Sequence, residues 1–186
     1  MSKYVAFLRA INVGGHTVKM DTLRALFQEL KFQNVETFIA SGNVIFETPA
    51  KRADILGQTI TAHLEQKLGY AVAAFVRDEY EIRALTQYEA FSKKERDAAG
   101  AFNVAFLAQP LNAAQIEKLM SLQSAQDKFH IHAREVYWLC QTKQSESKFS
   151  NALLEKTIRA QATLRGFNTI QKLAAKHFGT QSSREQ

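Results

Sequence analysis

The 186-residue sequence predicts an α+β protein of two successive βαββαβ units with antiparallel sheets and extra helices. Three observations carry this reading. Short β-rich runs alternate with amphipathic stretches whose apolar residues recur at helical spacing. Ser41-Gly42-Asn43 separates two β-rich runs as a hairpin signal, and a tight hairpin cannot join parallel strands. The same order of elements then returns in the second half, giving two ferredoxin-like units related by element order rather than by residue identity.

Residues 3–11 are apolar and β-rich, as a central strand should be, and Asn12-Val13-Gly14-Gly15-His16 breaks the run. Leu23, Leu26, Phe27 and Leu30 mark the first helix, with Asp21 in its first turn or at its cap. Strands over 34–40 and 44–48 flank the hairpin, and Pro49 closes the second. Ile55, Leu56, Ile60 and Leu64 give a helix over about 52–68, ended by Gly69, before a strand over 70–76. A connecting helix over 78–88 and a polar linker over 92–100 lead to the second unit. There the expected elements are strand 102–108, helix 112–122, strands 128–132 and 135–141 joined at Ala133-Arg134, a polar loop, helix 149–159, an extended piece 162–165 and a helix from Asn168 to about Phe178. The organisation is therefore a unit over 1–77, a helical connector over 78–100, a second unit over 101–179 and a frayed tail over 180–186.

Composition narrows the function classes. Hydrophobic residues at 46% and charged residues at 23% are ordinary for a globular chain. No apolar run approaches a membrane span, Met1-Ser2-Lys3 leads directly into a strand-length run, and the single Cys140 excludes an internal disulfide framework. A cytoplasmic protein without a membrane partner is the expectation. The net charge of +6 is a mild basic bias, concentrated between Lys143 and Lys176.

Two strings carry a family resemblance. Val5-Ala6-Phe7-Leu8-Arg9-Ala10-Ile11-Asn12-Val13-Gly14-Gly15 resembles the LLRGINVGG opening of the bacterial domain-of-unknown-function family 1697, and Ser41-Gly42-Asn43-Val44 resembles its SGNV hairpin. Thr163-Leu164-Arg165-Gly166-Phe167-Asn168-Thr169 is similar to its TxRNWNT segment. Ala10, Gly166 and Phe167 stand where that pattern has Gly, Asn and Trp. The resemblance implies a two-part ferredoxin-like fold and supplies no activity.

The topology brings the end of the first strand to the same sheet edge as the first hairpin. Arg9, Asn12, Gly14, Gly15, His16, Ser41, Gly42 and Asn43 therefore form a candidate ligand site. Glycines admit backbone N–H groups close to a ligand, and a helix N-terminus favours an anion. The plain alternative is that the glycines turn the chain, Asn43 fills the turn and Arg9 makes a structural ion pair. A second basic cluster is expected from Lys143, Lys148 and Arg165, with Asn168 or Thr169 capping the last helix.

No GxGxxG, GxxxxGK[ST] or GxSxG motif occurs, and no carboxylate spacing marks an acid–base pair. His130 and His132 share a strand face without an adjacent third ligand, so no metal or cofactor is expected. Catalytic residues stay unassigned. The favoured class is a non-enzymatic binding module for an anionic small molecule or nucleic acid. The alternatives are an enzyme centred on the glycine loop and hairpin, or an interaction or homo-oligomeric protein.

Overall fold

Each half of the chain forms a four-stranded antiparallel sheet backed by helices on one face. The computed structural model describes residues 1–12, 14–39 and 42–179. In the first half, β1 (Ser2–Arg9), α1 (Met20–Glu29), β2 (Gln33–Thr37), β3 (Asn43–Thr48), α2 (Ala53–Leu68) and β4 (Ala73–Asp78) give the strand order β2-β3-β1-β4. In the second, β5 (Ala101–Leu107), α5 (Ala113–Met120), β6 (Asp127–His132), β7 (Glu135–Cys140), α6 (Asn151–Ile158) and β8 (Ala162–Gly166) repeat that order as β6-β7-β5-β8. Two further helices, α3 (Glu79–Gln87) and α7 (Phe167–His177), each follow directly on a fourth strand and pack on one another.

The period-2 alternation of the strands divides the apolar residues between two faces. Outward from β1, Tyr4, Ala6 and Leu8 meet Leu23, Leu26 and Phe27 of α1 and Ile60 and Leu64 of α2, all buried. Inward, Val5, Phe7, Ile45 and Phe75 meet Val104, Phe106, Tyr137 and Leu139 of the other sheet. The two sheets thus pack face to face, with Ile82 and Leu85 of α3 and Ile170 and Leu173 of α7 closing the same core. The rings of Phe7 and Phe106 stack at 3.9 Å between centroids.

The register reveals a residue-level repeat. Val5-Ala6-Phe7-Leu8 and Val104-Ala105-Phe106-Leu107 are the same tetrapeptide, at equivalent places on the two central strands. Val5 lies opposite Arg77 on β4, and Val104 lies opposite Arg165 on β8. The expectation that only element order repeats is therefore too weak.

Several boundaries differ from those read in the sequence. Around the first hairpin, β2 ends at Thr37, before the expected residue 40, and β3 begins at Asn43, one residue earlier than expected. Gly42 has φ 79°, and a Cβ there would lie 2.8 Å from Ile11 Cγ2 and 3.2 Å from Leu8 Cβ, so both backbone and packing require glycine. The second hairpin is tight at Ala133-Arg134, as expected. The polar linker contains a short helix, α4 (Lys93–Ala98), started by a capping box between Ser92 and Glu95. Ala10 has φ 64°, the left-handed region that explains why glycine suits this place in the resembling pattern.

Candidate functional site

The residues of the first predicted site spend most of their polar groups on the protein itself. Arg9 meets Glu155 of α6 through two hydrogen bonds, Nε to Oε1 at 2.5 Å and Nη2 to Oε2 at 2.8 Å. The same carboxylate accepts the Ala162 N–H at 2.8 Å. Burial pushes the Glu155 carboxyl up, but Arg9 and that N–H outweigh it and hold it below the usual range. Asn12 Oδ1 accepts the Val18 N–H at 2.8 Å and so closes the glycine loop. Gly14 and Gly15 are exposed at φ 62° and 85°, with open space where a Cβ would stand. The exposed His16 ring stacks on Tyr70 at 4.0 Å. Asn43 is fully buried, donating through Nδ2 to Phe38 O at 2.8 Å. Ser41 lies outside the described residues. The reading of Arg9 as a structural ion pair describes its geometry better than the reading as an anion ligand.

The second predicted cluster does not assemble. Lys143 and Lys148 are exposed, whereas Arg165 is buried between the sheets. The last helix starts at Phe167 with Gly166 as N-cap and no side-chain cap, so Asn168 and Thr169 fall inside its first turn. Among the described residues, no group of three or more His, Cys, Asp or Glu is placed to hold a metal ion. Tyr88 occupies the predicted histidine pair, its hydroxyl 2.6 Å from His130 Nε2 and its ring stacked on His132 at 4.0 Å.

Arg165 belongs instead with Asn43, and the pair has a counterpart in the other half. Arg165 Nε donates to Asn43 Oδ1 at 2.6 Å, Nη2 to Leu8 O at 2.8 Å and Nη1 to its neighbour Leu164 O at 2.8 Å. Arg77 Nε donates to Glu135 Oε1 at 2.6 Å, Nη2 to Leu107 O at 2.8 Å and Nη1 to its neighbour Val76 O at 2.9 Å. Asn43 faces Phe7 in the ladder as Glu135 faces Phe106. Each guanidinium also lies near the phenylalanine across the interface, at 5.4 Å for Arg77 on Phe106 and 5.8 Å for Arg165 on Phe7. The two halves are related by an approximate two-fold with one arginine from each reaching into the other. Burial pushes Arg165 down to about 10, which leaves it charged at neutral pH.

Sequence reasoning passed over Arg77 and Glu135. The available signal was an arginine inside the apolar run Phe75-Val76, at the place that Thr163-Leu164 gives Arg165.

The same two-fold relates two clefts, each formed where the outer edge of a fourth strand meets the loop after the other half's first strand. The first, of about 370 Å³, lies between α2, the β4 edge and the Leu107–Leu111 segment. Ala53, Gly57, Ala73, Ala74, Ala108 and Pro110 give it small walls. Gly57 lets α2 approach, since a Cβ there would be 3.0 Å from Ala74 O. Thr61 Oγ1 accepts the Ala74 N–H at 3.0 Å, and Arg77 donates to Val76 O at 2.9 Å, so two of the backbone groups on the strand edge facing the cleft are capped. The second is a wider, shallower depression of about 690 Å³ lined by Arg9, Ser147, Ser150, Asn151 and Thr163. Arg9 there stands at the position of Ala108, and Glu155 caps Ala162 N–H as Thr61 caps Ala74 N–H. The sequence reading anticipated Arg9 and none of the first cleft.

A family model described as a protein of unknown function, DUF1697, matches residues 1–137, and the chain belongs to that family. Comparison with curated proteins gives no significant match. Among solved structures, the chain is similar to the conserved bacterial protein SP0830 from Streptococcus pneumoniae, with a TM-score of 0.76 and 19% identity over 97% of this chain and 99% of that one. At that identity the likeness bears on the fold alone. No described helix is long and apolar enough to cross a membrane.

Proposed function

We propose that the chain is a small-molecule-binding module whose site is the cleft between the α2–β4 edge of the first half and the Leu107–Leu111 segment of the second. The observation that carries this is the cleft itself, about 370 Å³ of space walled by alanine, glycine and proline at the junction of two packed units. Clefts of this size at unit boundaries, largely apolar with a few polar groups, are where small ligands bind. The reading keeps the binding-module class expected from the sequence and moves its site. The cations first assigned to an anion are bound to Glu155 in the case of Arg9 and to Asn43 in the case of Arg165.

A thermal-shift screen of a broad metabolite library tests it. A ligand at ~100 times its Kd stabilises the folded state by roughly 2.7 kcal/mol, which is readily seen. Ala108 is exposed on the cleft wall, so Ala108→Trp fills the space without disturbing the core. Hits lost in Ala108→Trp and kept in Arg9→Ala support the cleft. A library without hits, or hits that survive Ala108→Trp, overturns it.

A further inference from the structure

Resting on that cleft as the binding site, we infer that its ligand is a net-neutral molecule presenting an amide- or lactam-type edge, such as a nicotinamide-like ring, a nucleobase or a nucleoside.

Every charge at the inner cleft already has an opposite charge. Arg77 is held by Glu135 with Nε–Oε1 at 2.6 Å. Arg134 is bound to Glu81, and its Nη1 also reaches Ala108 O at 3.4 Å. Arg52 Nη2 lies 2.6 Å from Asp54 Oδ2, and Asp54 stands in the first turn of α2, where it offsets the positive end of that helix. An ionic ligand entering this space would lose its hydration and meet only charges already paired, which is unfavourable. A neutral ligand meets no such penalty.

The amide side chains of the lining specify the ligand's edge. Gln58, Gln109 and Gln161 line the cleft and are exposed, each offering an NH₂ donor and a carbonyl acceptor. Gln115, by contrast, is fixed by its bond from Nε2 to Ile158 O at 2.7 Å. Side chains that carry donor and acceptor side by side are matched by a group that does the same, which is the pattern of a primary amide, a lactam or a nucleobase edge. The small walls of Ala53, Gly57, Ala74 and Ala108 admit a ring against backbone rather than against long side chains. The outer mouth keeps this balance, with Lys51, Arg52 and Arg134 facing Asp54, Asp78 and Glu81.

Neutral amide- or lactam-bearing molecules paired with their anionic relatives test this directly. Nicotinamide against nicotinate, and inosine against inosine monophosphate, should be titrated by calorimetry against the wild-type chain, Ala108→Trp, and the double variant Gln58→Leu/Gln161→Leu. The expected result is binding of at least one neutral member at least ten-fold tighter than its anionic counterpart. That binding should be abolished in Ala108→Trp and weakened at least ten-fold in the double variant, with unchanged melting of the unliganded proteins. Anions that bind as tightly or more tightly, yet still lose binding in Ala108→Trp, overturn the neutral-ligand inference and leave the cleft standing. Failure of every neutral amide-bearing probe overturns the inference too, and the cleft then stands or falls on the broad library.

Discussion

The two halves solve one construction problem with different chemistry at equivalent places. In the first-to-second direction, Arg77 reaches across to a carboxylate, Glu135; in the return direction, Arg165 reaches across to an amide, Asn43. The helix after β4 starts at Asp78 with a capping box to Glu81, whereas the helix after β8 starts at Gly166 with no side-chain cap. One cleft is walled by Ala108 and Thr61, while its counterpart carries the Arg9–Glu155 pair. The backbone plan fixes where a group must stand. The residue placed there decides whether that spot is a clamp, a cap or an open space.

Breaking the clamps gives the largest expected effect. Glu135→Ala leaves the fully buried Arg77 without its carboxylate and should destabilise the fold by about 3–5 kcal/mol in urea unfolding. Asn43→Ala removes a neutral acceptor from a buried cation and should cost about 1.5–3 kcal/mol by the same measurement. If Asn43→Ala costs as much as Glu135→Ala, the contrast between the two clamps is wrong.

The Arg9–Glu155 pair is partly exposed, at 30% and 17% of the side chains, so Arg9→Ala should cost only about 0.5–1 kcal/mol at neutral pH. Its pH dependence sharpens the point. Glu155 titrates below the value of an unfolded glutamate, so the pair's contribution is complete above about pH 4.3 and is lost as pH falls through the folded value. Wild type and Arg9→Ala should therefore converge in stability in acid. A gap that persists at low pH contradicts the assignment.

The smallest expected effect is a gain. Gly166 has φ −60° at an N-cap, a conformation open to any residue, and a Cβ there would meet nothing closer than 3.9 Å. Gly166→Asn, which restores the residue of the resembling family pattern, should stabilise by a few tenths of a kcal/mol up to about 1 kcal/mol, read as a raised melting temperature.

Much of the fold was legible because it depends on local signals. Leu23, Leu26, Phe27, Ile60 and Leu64 sit at helical spacing, and all are buried against the first sheet. Ser41-Gly42-Asn43 announced the hairpin between β2 and β3, although β2 ends at Thr37, earlier than expected. The site was less legible, because it forms between halves. Arg165 and Leu8 are 157 positions apart and in hydrogen-bond contact, a pairing that no local pattern encodes. The basic bias misled for the same reason. Arg165 counts as a surface cation in composition, yet it is an interior strut in the structure. The repeated Val-Ala-Phe-Leu was the one long-range signal in plain view, and it marks the two-fold that relates the clamps and the clefts.

The face-to-face sheets have a consequence for synthesis. Val5, Phe7, Ile45 and Phe75 find their second-half partners only when β5, β7 and α7 have been made. The roughly 100 residues from the end of β4 to the end of α7 take about 5–20 s to emerge at ordinary translation rates. Through that interval the nascent first half presents an apolar sheet face that lacks its facing sheet, with the Leu8 carbonyl awaiting Arg165. A pause or truncation in that window leaves a sticky fragment, and a separately expressed second half added in trans is the natural cover for it.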